Sequence, residues 1–354
     1  MAECFNTRLQ RFAIMRRLFI PMILAFCVMY VITTVVYIGT EVNETVPGAS
    51  SEVVLRPKWP DDSASEKDLA NIDTDPMEER MMLRRSRIPP MCGGKFTSTK
   101  NASREPIWNL NILYTSSSIY VDDKYKFLYC FVPKTATTTW RKMFMAMHYN
   151  ISYNDADENF DKLTKDIGLK HLNLYSEQKI LQIMQGYLKF MVVRNPFERL
   201  LSAWQNKFNK YKSGQFWYCN TYGKSIIEKY RKNFTVGDGS GCDVTFDEFT
   251  DYLLERDFKN GWIDEHWKPY YDLCMPCHVP YDTIIHYETL VEDSNYVLDK
   301  LGEKRRFPNG SSGVKGKVLE AYSNLNNSFH KREQIYKIYQ MDFDMFGYGP
   351  IPLA

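Results

Sequence analysis

Two short apolar runs stand out along the chain, Phe127–Val132 (FLYCFV) and Leu188–Val193 (LKFMVV). Neither alternates in the way of a strand with one wet face. A continuous run of this length, followed at once by turn residues, predicts a strand covered on both sides. Each run leads into a helix-like stretch: PKTATTT then WRKMFMAMHY after the first, and RNP then FERLLSAWQNKF after the second. Pro196 falls just inside the second helix start, where its missing N–H is no loss. Further on, Thr245-x-x-Glu248 forms a capping box that opens a helix through Leu254. A short strand is expected at Thr283–His286, a helix over 288–301 and a final helix over 331–343. This alternation predicts an α/β domain over 106–354, with a largely parallel central sheet flanked by helices.

The front of the chain has a different pattern. Residues 1–17 hold four arginines, Arg8, Arg11, Arg16 and Arg17, and residues 18–39 are 22 positions without a charge. A signal-peptide core has about 7–15 apolar residues, whereas roughly 20 span a bilayer. The basic residues precede the run, and Glu41 and Glu44 follow it. This predicts one membrane-spanning signal anchor over 18–39, with 1–17 in the cytosol and the rest across the membrane. Residues 40–105 are rich in Asp, Glu, Ser and Pro and lack a sustained apolar period, so they read as a flexible stem.

Charge sharpens this division. The formal net charge is +2; residues 1–40 carry +3 (four bases, one acid) and 41–79 carry −8 (three bases, eleven acids), leaving +7 for 80–354. A basic body suits an anionic ligand. Nothing in the pattern points to nucleic acid, and oligomeric state is left open. Six N-x-[ST] sequons follow the span, at Asn43, Asn101, Asn150, Asn233, Asn309 and Asn326. Their number fits a lumenal body carrying N-glycans. Six of the eight cysteines, Cys92, Cys130, Cys219, Cys242, Cys274 and Cys277, lie on the same side, where disulfides persist. The pairing is open. Cys274-Met-Pro-Cys277 lacks the second ligand pair of a zinc site, so no metal is assigned to it.

The two strand–loop–helix units carry the candidate chemistry. Where a strand feeds a helix, free N–H groups and the helix dipole attract an anion. Lys134 adds an ammonium there, and Thr135, Thr137, Thr138 and Thr139 add hydroxyl and backbone donors. The loop lacks the glycines and the GK[ST] ending of the usual nucleotide-binding loop; the alternative is a polar cap beside a surface lysine. In the second unit Arg194 leaves its strand as Lys134 does, and Ser202 lies about two turns into the helix. A guanidinium fork with a nearby hydroxyl suits a second phosphate. Arg199 is either part of that site or a structural ion-pair residue. Two anion sites on neighbouring strands imply a ligand phosphorylated twice, such as an adenosine 3′,5′-bisphosphate.

PKTATTTWRK followed by VVRNPFERLLSAWQNKF resembles the paired 5′-phosphosulfate and 3′-phosphate motifs of Golgi carbohydrate sulfotransferases, in particular the chondroitin/dermatan 4-O-sulfotransferase-like group. The likeness continues in DEHWKPYYDLCMPCHVPYDTIIHYETLVEDSNYVL and in IYQMDFDMFGYGP, and covers most of 92–350. It implies a P-loop-like fold that binds 3′-phosphoadenylyl sulfate (PAPS) without a metal. Pro133, Lys134, Thr135, Ala136, Thr137, Thr138 and Thr139 would hold the 5′-phosphosulfate. Arg194, Asn195, Pro196, Phe197, Glu198, Arg199, Leu200, Leu201 and Ser202 would hold the 3′-phosphate, with Arg194 and Ser202 as direct ligands. The family usually reads PKVACTNW and RDPFERL, so Thr137, Thr139 and Asn195 depart from it.

The resemblance implies transfer of a sulfuryl group to a glycan hydroxyl in the Golgi lumen. Lys134 is the candidate to neutralise charge on the leaving oxygen. His266, within the shared DEHW, is the candidate base; its alternative is a structural hydrogen bond, with Glu265 as base instead. The expected acceptor is an anionic glycan, with the GalNAc 4-hydroxyl of chondroitin or dermatan favoured over glucuronic acid 3-OH or GalNAc on protein-linked glycans. Three basic clusters could grip it: Lys207/Lys210/Lys212, Lys229/Arg231/Lys232 and Lys304/Arg305/Arg306. Trp262, Trp267, Tyr270 and Tyr271 could stack on sugars or fill a core. Two rival classes remain: a metal-dependent glycosyltransferase using Asp73/Asp75, Asp155/Asp157 or Asp342/Asp344, and a non-catalytic glycan-binding protein.

Overall fold

The computed structural model describes residues 75–93, 110–160, 167–208, 216–232, 235, 240–309 and 317–349. All of them lie in one of the chain's two compact units, residues 53–354. The expected tail (1–17), signal anchor (18–39), stem residues 40–74 and 94–105, and the sequons at Asn43, Asn101 and Asn233 lie outside the described residues. Among the described residues no helix is long and apolar enough to cross a membrane.

Five strands, β1 (Ile119–Asp122), β2 (Phe127–Cys130), β3 (Leu169–His171), β4 (Leu188–Val193) and β5 (Thr283–His286), form one sheet in the order β3-β1-β2-β4-β5. The longer helices are α1 (Pro76–Ser86), α2 (Thr137–Tyr149), α3 (Glu177–Gly186), α4 (Pro196–Lys207), α5 (Phe246–Leu254), α6 (Leu290–Lys300), α7 (Ser328–Ile338) and α8 (Gln340–Phe346). β2, β4 and β5 are mutually parallel, but β1 is antiparallel to both β2 and β3. The expected largely parallel sheet is therefore corrected to a mixed one. The cause is the tight turn at 123–126, where the Asp122 carboxylate accepts the N–H groups of Lys124 and Tyr125 (both 2.8 Å). A connection this short makes a hairpin, since a parallel partner needs a long crossover.

The two apolar runs are covered on both faces, as their composition requires. Phe127, Tyr129, Phe190 and Val192 pack under Trp140, Met143, Phe144 and Met147 of α2. On the opposite face, Leu128, Cys130, Met191 and Val193 pack with Ile180, Ile183 and Met184 of α3. Burying each such side chain contributes about 1.5–3 kcal/mol. The arrangement brings the carboxyl ends of β2, β4 and β5 to one edge of the sheet, where open α/β sheets bind ligands.

Two expectations need further correction. Residues 76–93, assigned to the stem, belong to the folded body. Asp75 caps α1 by accepting the Met77 N–H (3.0 Å), with Pro76 at the first position, acids in the first turn and arginines in the last. Arg84 then reaches the buried Asp293 carboxylate (2.6 Å) and the Ile284 carbonyl (2.8 Å). A disulfide joins Cys92 to Cys277. The expected helix over 331–343 is split into α7 and α8 at Tyr339, whose buried hydroxyl donates to the Trp267 carbonyl.

Two more disulfides join Cys130 to Cys274 and Cys219 to Cys242. The two cysteines of Cys274-Met-Pro-Cys277 thus bond to different partners and tie both the β2 exit and the α1 segment to one turn. Of the described sequons, Asn150 and Asn309 are exposed. Asn326 is exposed as well, but its side-chain amide donates to Asp247.

Candidate active site

The loop after β2 turns sharply. Lys134 (φ 75°) and Ala136 (φ 61°) both occupy the left-handed region, and Thr135 is buried with its hydroxyl donated to the Val132 carbonyl (2.8 Å). Ala136 is the N-cap of α2 and offers no side-chain acceptor, so the first-turn N–H groups of α2 receive no side-chain cap. That is the electrostatic setting of an anion site. Thr138 is exposed, Lys134 and Thr139 are half-buried, and Pro133 and Thr137 are buried.

The α4 start differs. Asn195 caps it by accepting the Phe197 N–H (3.0 Å), so this departure from the family pattern keeps the cap. Arg194 is buried; both Nε and Nη2 donate to Glu198 Oε2 (3.0 Å each), and the guanidinium lies 4.3 Å from the centre of the Tyr287 ring. Tyr287 follows β5 directly. The residues leaving the two strands thus meet at the same sheet edge. Ser202 is half-buried on α4.

Four of the residues expected around the 3′-phosphate have other roles. Phe197 packs edge-on to Tyr322 (4.8 Å) and beside Phe343, while Leu200 and Leu201 lie in the same apolar cluster. Their side chains fill the core because helical spacing turns them away from the sheet edge. Arg199 is neither a surface ligand nor half of an ion pair. It is 1 % exposed and donates to the Pro133 carbonyl (3.2 Å), the Lys268 carbonyl (2.7 Å) and the Glu265 carbonyl (2.7 Å), lying over Tyr270. One guanidinium therefore holds the loop before Lys134 against the loop carrying His266. Lys134 and His266 each follow a carbonyl that it grips.

His266 lies in a polar cluster. Its Nδ1 is 2.8 Å from Asp264 Oδ1 and 3.0 Å from the Tyr218 hydroxyl, and its backbone N–H donates to the same Asp264 oxygen (2.9 Å). With the Nδ1 proton directed to the carboxylate, Nε2 carries the lone pair. Burial holds the imidazole below its ordinary value of 6.5, with the Asp264 hydrogen bond opposing. Burial also raises Asp264, but hydrogen bonds from the His266 ring and backbone outweigh it, so the carboxyl stays low. Glu265 is pushed up by partial desolvation and by the Asp264 charge. Lys207 is pushed down by burial and lies 4.0 Å from the centre of the Tyr218 ring. This is a neutral imidazole oriented by a carboxylate, the arrangement of a general base.

Tyr218 and Tyr222 come from a segment that sequence reasoning left unassigned. Tyr218 immediately precedes, and Tyr222 lies within, a π turn (Cys219–Gly223) stapled by Cys219–Cys242, and a Cβ on Gly223 would fall 1.8 Å from the Gly241 carbonyl oxygen. Tyr222 donates to Asp264 Oδ2 (3.3 Å). π turns often mark functional positions, yet no local signal in the sequence announces this one.

The other candidates sort clearly. Trp267 and Tyr270 are core residues, Tyr271 is at the surface, and Trp262 is 74 % exposed. Lys229 and Arg231 are paired with Glu255, Asp243 and Glu248, and Arg305 and Arg306 with Glu303 and Asp299. Of the first cluster Lys207 is at the site; Lys210 and Lys212 lie outside the described residues. Asp342 is fully buried and accepts the N–H groups of Tyr270 (2.8 Å) and Tyr271 (2.9 Å), so it anchors the turn beyond DEHW and is not open to a metal. Asp155 closes a helix cap and Asp157 pairs with Lys142. A cleft of about 440 Å³ beside β5 is lined by Arg80, Arg84 and His286, but both arginines are engaged by Glu292 and Asp293.

Comparison with known proteins matches these features. Carbohydrate sulfotransferase 11 of Mus musculus is 37 % identical over 239 residues, covering 65 % of this chain and 67 % of the relative. Carbohydrate sulfotransferase 14 of Danio rerio is 33 % identical over 275 residues, 76 % of this chain and 71 % of the relative. Carbohydrate sulfotransferase 10 of Homo sapiens is 32 % identical over 264 residues, 70 % of each. No solved structure matches. The model of the Sulfotransferase family matches residues 117–349, which contain the whole sheet, both strand-exit loops and the His266–Asp264 pair. The chain belongs to the sulfotransferase family.

Proposed function

We propose that this sulfotransferase is a Golgi enzyme that moves the sulfuryl group of PAPS to the 4-hydroxyl of GalNAc in chondroitin or dermatan. The observation that supports the reading is the grip of Arg199 on both the Pro133 and Glu265 carbonyls, which ties the loop before Lys134 to the loop carrying His266. The names of the relatives supply the carbohydrate acceptor. The 5′-phosphosulfate of the donor fits the uncapped α2 start with Lys134, and the 3′-phosphate fits Arg194 with Ser202. This pair of sites requires no metal.

In this mechanism Nε2 of His266 takes the proton of the acceptor hydroxyl. The hydroxyl oxygen forms a bond to sulfur as the bond from sulfur to the 5′-phosphate oxygen breaks, in line. Lys134 offsets the charge that collects on the departing oxygen. Asp264 holds the imidazole in the right tautomer and stabilises the imidazolium. Asp264→Asn is therefore expected to lower kcat by about 10²–10⁴-fold. Because the base must be neutral, activity is present above its pKa and lost as pH falls through it. Burial holds that pKa below 6.5, so the acid limb of kcat/KM falls below pH 6.5. In Asp264→Asn the limb moves lower still, since the carboxylate's raising influence is gone; pH–rate profiles of both proteins check this.

The Golgi placement, with one anchoring helix at 18–39 and a lumenal body, is supported by the apolar run, the three disulfides and the exposed Asn150 and Asn309. The test uses detergent-solubilised full-length protein, sulfur-labelled PAPS and EDTA. Desulfated chondroitin, dermatan, a glucuronyl-terminated oligosaccharide and a GalNAc-terminated N-glycan are offered in parallel. Label in chondroitin or dermatan, assigned to GalNAc O-4 by disaccharide analysis, is the expected result. Label only in the third or fourth acceptor would move the assignment to glucuronic acid 3-OH or protein-linked GalNAc. Activity that requires a metal would overturn the metal-free donor site.

A further inference from the structure

Trp262 lies four residues before His266 and is the most exposed large hydrophobic side chain among the described residues, at 74 %. A large apolar face left in water usually marks a binding surface when it belongs to a patch. Here it does. The Trp262 ring lies parallel to Tyr222 (2° between planes, centres 6.4 Å apart), and Trp217, itself 55 % exposed, stands edge-on to the same Tyr222 at 5.7 Å. Tyr222 in turn hydrogen-bonds Asp264 Oδ2, the carboxylate that orients His266, and Tyr218 lies between Tyr222 (5.8 Å) and the His266 ring (5.5 Å). The patch is thus continuous with the base, and Lys207 over Tyr218 adds positive charge at its inner end.

We infer that Trp262, flanked by Trp217, is the platform on which sugar residues of the acceptor chain next to the reacting one are stacked. The inference rests on the proposed function. Pyranose rings present faces of C–H groups that suit a flat indole, while their hydroxyls stay in water; an aromatic with one open face meets both demands. The inner lysine suits the carboxylates of an anionic glycan. Ring-to-ring steps of 6.4, 5.8 and 5.5 Å from Trp262 to His266 through Tyr222 and Tyr218 make the platform one or more sugars distant from the hydroxyl that reacts. Its contribution is to acceptor affinity, with the chemical step left alone.

The experiment compares full-length wild type, Trp262→Ala and Trp262→Phe. Binding of desulfated chondroitin is measured in the presence of adenosine 3′,5′-bisphosphate, alongside transfer kinetics on the polymer. The expected result is a loss of about tenfold in chondroitin affinity and the same rise in KM for Trp262→Ala, with kcat within twofold, and with most of the loss recovered in Trp262→Phe. Unchanged binding of adenosine 3′,5′-bisphosphate reports that the variant is folded. Wild-type glycan affinity in Trp262→Ala would overturn the inference. A change in sedimentation of Trp262→Ala with glycan affinity intact would assign the patch to a second copy of the chain, and also overturn it. If wild type neither binds nor sulfates any acceptor, the proposed function itself fails, an outcome distinct from a variant that behaves like wild type.

Discussion

Replacing Lys134 with alanine is expected to lower kcat by about 10²–10³-fold, the effect of deleting one preorganised charge-stabilising donor, and to leave thermal stability almost unchanged. The backbone makes this a clean experiment. Lys134 sits at φ 75°, a conformation any residue with a Cβ adopts only at a cost. Alanine keeps the Cβ, so the backbone strain is the same in both proteins, and what is removed is the ammonium with the methylene stem that carries it. The Lys134 side chain is half-buried, whereas its neighbour Thr135 is buried, and the Thr135 hydroxyl bonds the Val132 carbonyl and holds the loop shape. Arginine is a poor substitute, because its planar fork cannot occupy the place of a compact ammonium in so tight a turn. Initial rates and a thermal melt on the same preparations settle the point. A loss of less than tenfold would shift the stabilising role to the first-turn N–H groups of α2.

Arg199→Ala is expected to do the opposite: to lower stability by about 3 kcal/mol or more, since each buried carbonyl left without its donor costs about 1–3 kcal/mol. The guanidinium satisfies three backbone carbonyls, Pro133, Glu265 and Lys268, from two loops far apart in sequence, and packs on Tyr270. Without it those acceptors lose their donor and a side-chain-sized void opens between the loops. Arg199→Lys recovers only part of the loss, since a single ammonium cannot reach three carbonyls in divergent directions. Denaturant unfolding at pH 7 measures both. The folded fraction of Arg199→Ala should also show lower kcat and a higher KM for the donor together, because Lys134 and His266 lose their common strut. A variant that lost activity with full stability would make Arg199 a ligand after all.

These two residues show what can be read locally and what cannot. The position of Lys134 between strand and helix is legible because a strand exit, a prolyl-lysine and a helix start are adjacent in the chain. Arg199 occupies an equally suggestive position, in the first turn of α4 just after Arg194, and its motif makes it look like a phosphate ligand. Its partners are 66 and 69 residues away in sequence, and no periodicity encodes them. The same distance problem hid Tyr218, whose hydroxyl meets the His266 ring across 48 residues. It hid α1 in another way. A helix this rich in charge looks like a spacer until Asp293, buried in α6, is seen to receive Arg84.

Local pattern, then, determined the strand–loop–helix units, their caps and the chemistry of their loops. Strands buried on both faces must be continuously apolar, and a helix start must find acceptors or expose donors to an anion, so each leaves its mark within a few residues. Tertiary structure alone decided the reversed β1 between β2 and β3, the pairing of six cysteines, the division of the basic and aromatic residues between the His266 cluster and the scaffold, and the Tyr218 contact of His266. Those outcomes depend on which distant groups share one small volume, where burial strengthens every hydrogen bond and penalises every unpaired charge. A sequence names the groups and sets Asp264 two residues from His266; only the fold brings Tyr218 to 3.0 Å from the same imidazole nitrogen.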